Sequence, residues 1–188
     1  MSADILSDPI ELYRGLVGED RDLLTTFSDQ DIYLVRDSAF RGLTALEQVC
    51  VPCATAIGHN AFNGCTSLES FKTANCASIG DMAFYGCTSL VDVAASSVRE
   101  LGDHAFARCT SLKRIDISSA EKVGAGAFRW CTSLRCVKLL GDELCSLGDS
   151  TVFGSCSSLE AVYVPSDLLE TYQSASHWTT YADYLVGV

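Results

Sequence analysis

The chain has 188 residues, 48% of them hydrophobic and 20% charged, with a formal net charge of -11. That length suits one domain with a sizeable core, and an acidic chain without a basic stripe argues against nucleic acid or an anionic membrane as partner. No apolar run approaches the roughly 18 residues of a membrane span, and the opening MSADILSDPIELY lacks the basic start and apolar centre of a secretory signal.

In chain order, Asp8-Pro9-Ile10-Glu11 predicts a helix start: Asp8 as N-cap, Pro9 at the first helical position, Glu11 closing a capping box. Ile10, Tyr13, Leu16 and Val17 share one face of that helix, and Gly18 ends it. Leu24 and Phe27 lie 22 residues before Leu46 and Val49, so LTTF reads as a degenerate first strand. Residues 1–34 therefore form an N-terminal helical cap and first coil, and they hold eight acidic against two basic side chains.

From there the chain repeats itself. A phenylalanine recurs at Phe40, Phe62, Phe84, Phe106 and Phe128 in steps of 22, then at Phe153 after 25. Leu46, Leu68, Leu90, Leu112, Leu134 and Leu159 follow six residues behind. Val49, Phe71, Val93, Ile115, Val137 and Val162 come three later, and Val35, Ile57, Ile79, Leu101, Val123 and Leu147 lead each copy. A repeat this short cannot bury its own apolar face, so copies must stack over one continuous core. Residues 35–165 thus hold six repeats.

Within each copy, segments such as LESFKT alternate apolar and polar. They predict strands that pair into a parallel sheet, with coils roughly 4.8 Å apart. Gly58, Gly80, Gly102, Gly124 and Gly148 suit a corner with positive φ. The following DMAFYGC is too short for an α-helix and predicts a 3₁₀ or single helical turn. Thr66-Ser67, Thr88-Ser89, Thr110-Ser111 and Thr132-Ser133 can bond backbone at the next bend. After Pro165, Ser166 is expected to cap a helix carrying Leu168, Leu169 and Tyr172, whose apolar face continues in Trp178, Tyr181 and Leu185. Residues 166–188 form the C-terminal helical cap of the same structural domain.

The motif I-G-x-x-A-F-x-x-C-x-S-L-x-x-V, clearest at Ile57–Leu68, Ile79–Leu90 and Leu101–Leu112, resembles the BspA-like leucine-rich repeats from about Val35 to Pro165. Tyr163, Pro165, Tyr172 and Trp178 resemble the family's closing segment. The resemblance implies an α/β repeat fold: a right-handed solenoid with a parallel β-sheet and short 3₁₀ or helical turns. It also implies a recognition surface of the kind carried by bacterial surface, adhesion or phage-encoded proteins. Most coils here lack the family's proline after the strand, which survives as Pro52 and Pro165, and the fifth coil carries an insertion near Gly141.

Five of ten cysteines (Cys65, Cys87, Cys109, Cys131, Cys156) form a column in register. In-register neighbours sit parallel, not facing, which suits neither a disulfide, with Cβ atoms about 3.8 Å apart, nor four zinc ligands converging on a point. The column reads as small, buried, apolar packing. Cys76 and Cys145 fall outside it, as do Cys50, Cys53 and Cys136. Cys50-Val-Pro-Cys53 matches a C-x-x-C redox pattern, but at a strand exit and not at a helix N-terminus that would activate a thiol. The unpaired thiols point to a reducing compartment, whereas the resemblance points to a surface or a phage particle.

His59, His104 and His177 share no metal spacing and read as surface residues. No serine elbow or phosphate-binding glycine loop occurs; GAGAF at Gly124–Phe128 is the repeat's own turn. The expectation is therefore a non-catalytic module without cofactor or metal, recognising a protein or glycan in adhesion or host contact. A structural subunit or end domain of a larger assembly is the alternative, and a thiol enzyme using Cys50 and Cys53 the remote one. Strand phase turns Gln48/Cys50, Ser70/Lys72, Asp92/Ala94, Arg114/Asp116, Cys136/Lys138 and Ala161/Tyr163 outward. The candidate contact residues are Lys72, Asp92, Arg114, Asp116, Lys138 and Tyr163 there, with Tyr85, Arg108, Arg129 and Trp130 on the turn side.

Overall fold

The structure, a computed structural model, describes residues 23–188, so the helix expected from Asp8 to Gly18 lies outside the described residues. The chain winds as a parallel β-solenoid of about seven turns. One wall carries the expected strands: Thr26–Ser28, Gln48–Cys50, Ser70–Lys72 and Asp92–Val93 pair in sequence, and Arg114–Asp116, Cys136–Lys138 and Ala161–Val164 form a second ladder. Their register follows the repeat, with Phe27 opposite Val49, Val49 opposite Phe71, and Ile115 opposite Val137. LTTF thus ends in a real first strand, and Phe27 is buried. The wall is interrupted between Asp92–Val93 and Arg114–Asp116, where Val93 is only partly buried and Val91 is exposed.

Beyond the expected strands the solenoid carries a second wall. The residues leading each repeat form two-residue strands, Leu34–Val35, Ala56–Ile57, Ser78–Ile79, Glu100–Leu101, Lys122–Val123 and Ser146–Leu147, paired in one six-stranded parallel sheet. Single parallel coverage of the core would leave the opposite side open. The second sheet and the turn segment that follows it in each coil (the turn wall) close it around the buried phenylalanines.

Phe62, Phe71, Phe84, Phe106 and Phe128 are fully buried, with Phe40 and Phe153 nearly so. From Phe40 to Phe153 the rings of the column stack pairwise with centroids 5.0–5.6 Å apart and planes within 11°. Each such pair contributes about 0.5–1.5 kcal/mol beyond burial. Phe27 meets Phe40 edge-on at 4.7 Å, and Tyr181 meets Phe153 edge-on at 5.1 Å, closing the described ends of the stack. The buried apolar residues form one cluster from Phe27 to Leu185.

The segment after each glycine makes isolated three-residue turns and not one continuous 3₁₀ or helical turn. Its amides alternate: Ala61 N–H, Asn63 N–H and Cys65 N–H bond three residues back, while Asn60 N–H, Phe62 N–H and Gly64 N–H donate to Asp81, Ala83 and Tyr85 carbonyls of the next coil. Left-handed residues make this possible. Asn60 has φ 55° and Gly64 φ 77°, and every fourth residue so placed swings its amide toward the neighbour. A continuous helical turn would instead keep these amides within one coil.

The recurring glycines Gly58, Gly80, Gly102, Gly124 and Gly148 do not have positive φ, contrary to expectation. Their role is close approach. A Cβ on Gly80 would lie 2.8 Å from His59 N, and one on Gly102 would lie 2.5 Å from Asp81 N. Those amides sit close because a column of side chains bonds coil to coil: Asp37 Oδ1 accepts from His59 N–H at 2.7 Å, Asp81 Oδ1 from Asp103 N–H at 2.8 Å, and Asp103 Oδ1 from Ala125 N–H at 2.7 Å. In the same column His59 Nδ1 accepts from Asp81 N–H at 3.1 Å. The threonines also bond across coils and not at their own bend, with Thr88 and Thr110 hydroxyls donating to Thr66 and Thr88 carbonyls.

At the C-terminus the helical segments are short: a 3₁₀ turn at Ser166–Leu168, an α-helix at Leu169–Ser174 and a 3₁₀ helix at Trp178–Tyr184. Ser166 makes no side-chain cap; its amide donates to Val188 O. The reason is that Leu185, expected on a helix face, instead opens a strand, Leu185–Gly187, that pairs in parallel with Val162–Val164 and holds Ser166 in the ladder. The cap's aromatic heads satisfy the last coil's backbone, which has no further coil to bond. Tyr172 Oη accepts from Cys145 N–H at 3.0 Å, Trp178 Nε1–H donates to Cys145 O at 2.7 Å, and Tyr181 Oη accepts from Phe153 N–H while donating to Ser150 O.

Candidate functional site

The cysteine column lies wholly inside, and its sulfurs do more than pack. Each Sγ–H donates to the carbonyl of the preceding coil's phenylalanine: Cys65 to Phe40, Cys87 to Phe62, Cys109 to Phe84, Cys131 to Phe106 and Cys156 to Phe128, at 3.0–3.2 Å. That bond explains why the position holds cysteine and not alanine or valine, which sequence reading could not see. Burial pushes the Cys87, Cys109 and Cys131 thiols well above the ordinary thiol value, and Cys156 and Cys145 up to about 12. Burial likewise raises Cys76 to about 11. Such thiols stay protonated and are poor nucleophiles. Cys50, Cys53 and Cys136 are half-buried, and no disulfide joins any of the ten cysteines.

On the strand wall, Lys72, Asp92, Arg114 and Lys138 point outward and are exposed, while Tyr163 and Asp116 are half-buried. Asp116 Oδ1 is occupied by Ser118, accepting from its amide at 3.1 Å and its hydroxyl at 2.6 Å. Asp116, Lys138 and Tyr163 are successive ladder partners and so form one row. Lys72 pairs with Cys50 in the other ladder and belongs to a separate row. Ala161, read as outward, is buried at 8% exposure; its short side chain does not clear the wall. None of Lys72, Asp92, Arg114 and Lys138 joins an ion pair among the described residues.

On the turn wall the structure brings Tyr85, Arg108, Trp130 and Arg129 together. The Arg108 guanidinium lies 5.8 Å from the Tyr85 ring centroid and 4.8 Å from that of Trp130, and the Arg129 guanidinium 4.1 Å from Trp130. Arg108 is exposed and the other three half-buried. Ala107, fully buried, stands at the repeat position shared by Tyr85 and Arg129, so no longer side chain separates them.

Arg108 and Trp130 occupy left-handed positions, φ 63° and 62°, where the earlier coils place Gly42, Gly64 and Gly86. A side chain there costs about 1–2 kcal/mol relative to glycine. An exposed cation–π contact contributes about 0.5–1 kcal/mol. The terms nearly cancel, so these two residues add little to stability.

His104 departs from its reading as a surface residue. It is half-buried, and its Nδ1 is shut from solvent without a hydrogen-bond partner. The ring fits because Gly126 faces it; a Cβ there would lie 2.7 Å from His104 Nδ1. His59 and His177 are exposed. Burial pushes the Asp149 carboxyl up, but the hydrogen bonds from Thr151 and Gly126 together outweigh it and hold the group below the ordinary carboxylate value. No group of three or more potential metal ligands occurs among the described residues.

Stacked parallel coils with an internal phenylalanine column and outward polar rows define a leucine-rich-repeat solenoid. The chain belongs to the BspA-type leucine-rich-repeat family, whose model matches residues 24–135 and 55–180 in six copies. Among solved structures, a leucine-rich repeat protein from Bacteroides ovatus is similar at 28% identity and TM-score 0.71, over 87% of this chain and 42% of that one. The present chain thus spans less than half the length of that relative. The leucine-rich repeat protein of T. pallidum shares the fold at 24% identity and TM-score 0.55, over 72% of this chain and 78% of that one. No curated protein matches the chain.

Proposed function

We propose that this protein is a non-catalytic recognition module that binds a protein or glycan partner in adhesion or host contact. The supporting observation is the strand wall, where Lys72, Asp92, Arg114 and Lys138 are exposed, held on its two strand ladders, and free of ion pairs among the described residues. Charges so fixed confer orientation and specificity on a partner more than raw affinity. No helix among the described residues is long and apolar enough to cross a membrane. The test is binding of the full chain, by biolayer interferometry, to immobilised matrix proteins and to a glycan array. Saturable binding weakened by Lys72→Glu, Arg114→Glu and Lys138→Glu together is expected. A lack of saturable binding to either panel, or a catalytic turnover lost on Cys50→Ser, would contradict it.

A further inference from the structure

We infer that the Tyr85–Arg108–Trp130–Arg129 patch on the turn wall is a docking site for an acidic, carboxylate-rich segment of a protein partner. The inference rests on the recognition reading above and assigns it a surface other than the strand wall. Three observations carry it. First, two guanidiniums stand together in a chain of net charge -11, and neither has a carboxylate within ion-pair distance among the described residues. Second, both are held against Trp130, at 4.8 and 4.1 Å. Stacking on a ring orders a guanidinium while leaving its N–H edge free to grip a carboxylate with two hydrogen bonds. Third, Arg108 and Trp130 replace the glycines of earlier coils at φ 63° and 62° with little net benefit to the fold. Side chains kept at strained positions are candidates for a role outside folding.

The composition favours a protein over a sugar. Tryptophan, tyrosine and arginine are the residues that dominate protein–protein binding energy. A sugar would need an open ring face, and here guanidiniums already cover Trp130. Tyr85 at one end, with Arg108 between the rings, extends the patch across neighbouring coils to meet an extended acidic segment.

The experiment titrates the full chain into a fluorescein-labelled decaglutamate peptide, read by anisotropy, with a glycine-serine peptide and polygalacturonate as comparators. The fluorescence of Trp130 gives a second readout, since the other tryptophan, Trp178, is fully buried. Binding that weakens with added salt, prefers decaglutamate over both comparators, and falls about tenfold or more in Arg108→Gly and in Arg129→Ala is expected. Arg108→Gly should melt at the same temperature as the parent or higher, because glycine suits that backbone. The site is overturned if decaglutamate binds no better than the neutral peptide, if Arg108→Gly binds equally, or if it melts clearly lower, which would mark a structural role. Preference for polygalacturonate would assign the patch to a glycan instead. Binding lost in the Lys72→Glu/Arg114→Glu/Lys138→Glu variant but kept in Arg108→Gly would leave recognition standing and move it to the strand wall.

Discussion

Two glycine columns with opposite requirements lie a few residues apart in each coil. Gly80 has ordinary φ but no room, whereas Gly86 has φ 71° and open space around it. Alanine ordinarily stabilises a glycine site of ordinary φ by restricting the unfolded chain. At Gly80 it should instead destabilise by about 1–3 kcal/mol through overpacking against His59 N, while Gly86→Ala should cost about 1–2 kcal/mol through backbone strain. Urea melts separate the two when each is combined with Asp37→Ala, which loosens the column bonding coil to coil. Relief of the Gly80→Ala defect but not of the Gly86→Ala defect is expected; equal behaviour would contradict the distinction. At the last coil, Tyr181→Phe removes the partner of both Phe153 N–H and Ser150 O. It should cost about 1–3 kcal/mol, chiefly the penalty for leaving the buried Phe153 N–H unpaired, and a loss within error would mean water replaces the hydroxyl.

The cysteine column behaves as an element, because its thiols share one environment. In the native protein at pH 8, a thiol reagent should modify Cys50, Cys53 and Cys136 first, the three that are only half-buried, and the remaining seven only in denaturant. Rapid native modification of Cys87 or Cys109 would contradict their burial. The raised thiols also set a pH dependence. A folded thiol that keeps its proton contributes stability fully below the unfolded value, near 8.5, and that contribution is lost as pH rises toward the folded value. The slope is up to about 1.4 kcal/mol per thiol per pH unit. The urea midpoint under reductant should therefore fall steadily from about pH 9 to 11, and a flat midpoint would be incompatible with buried neutral thiols.

The elements also show what a sequence can and cannot carry. The Phe, Leu and Val columns were legible because burial at a fixed period of 22 writes itself into residue type. The second wall was not, since strands of two residues such as Ala56–Ile57 leave no alternation to read. Gly80 and Gly102 recur for the same visible reason as any invariant glycine, and only coordinates separate close approach from positive φ. Leu185 fits a helix face and a strand equally; its partner Val162 decided for the strand. Of the candidate contact residues, Tyr85, Arg108, Arg129 and Trp130 could be named from their repeat positions. That they touch depends on Arg108 and Trp130 adopting left-handed backbone, which their residue types disfavour.

At the scale of the whole molecule, stability is a property of the stack. Each coil gives its neighbours a ring to lean on, a carbonyl for each cysteine and an amide for each aspartate, so damage in the middle should be felt at the end. Phe84 is fully buried, stacked between Phe62 and Phe106 and touching Phe71 edge-on. Trp178, buried in the C-terminal cap, is a distant reporter. The most direct test is urea unfolding of Phe84→Ala followed by both Trp178 fluorescence and far-UV circular dichroism, in a Trp130→Phe background. One shared interior predicts a loss of about 3–5 kcal/mol that both signals report at the same midpoint. A loss below about 1 kcal/mol, or a Trp178 transition that stays where it was, would contradict it.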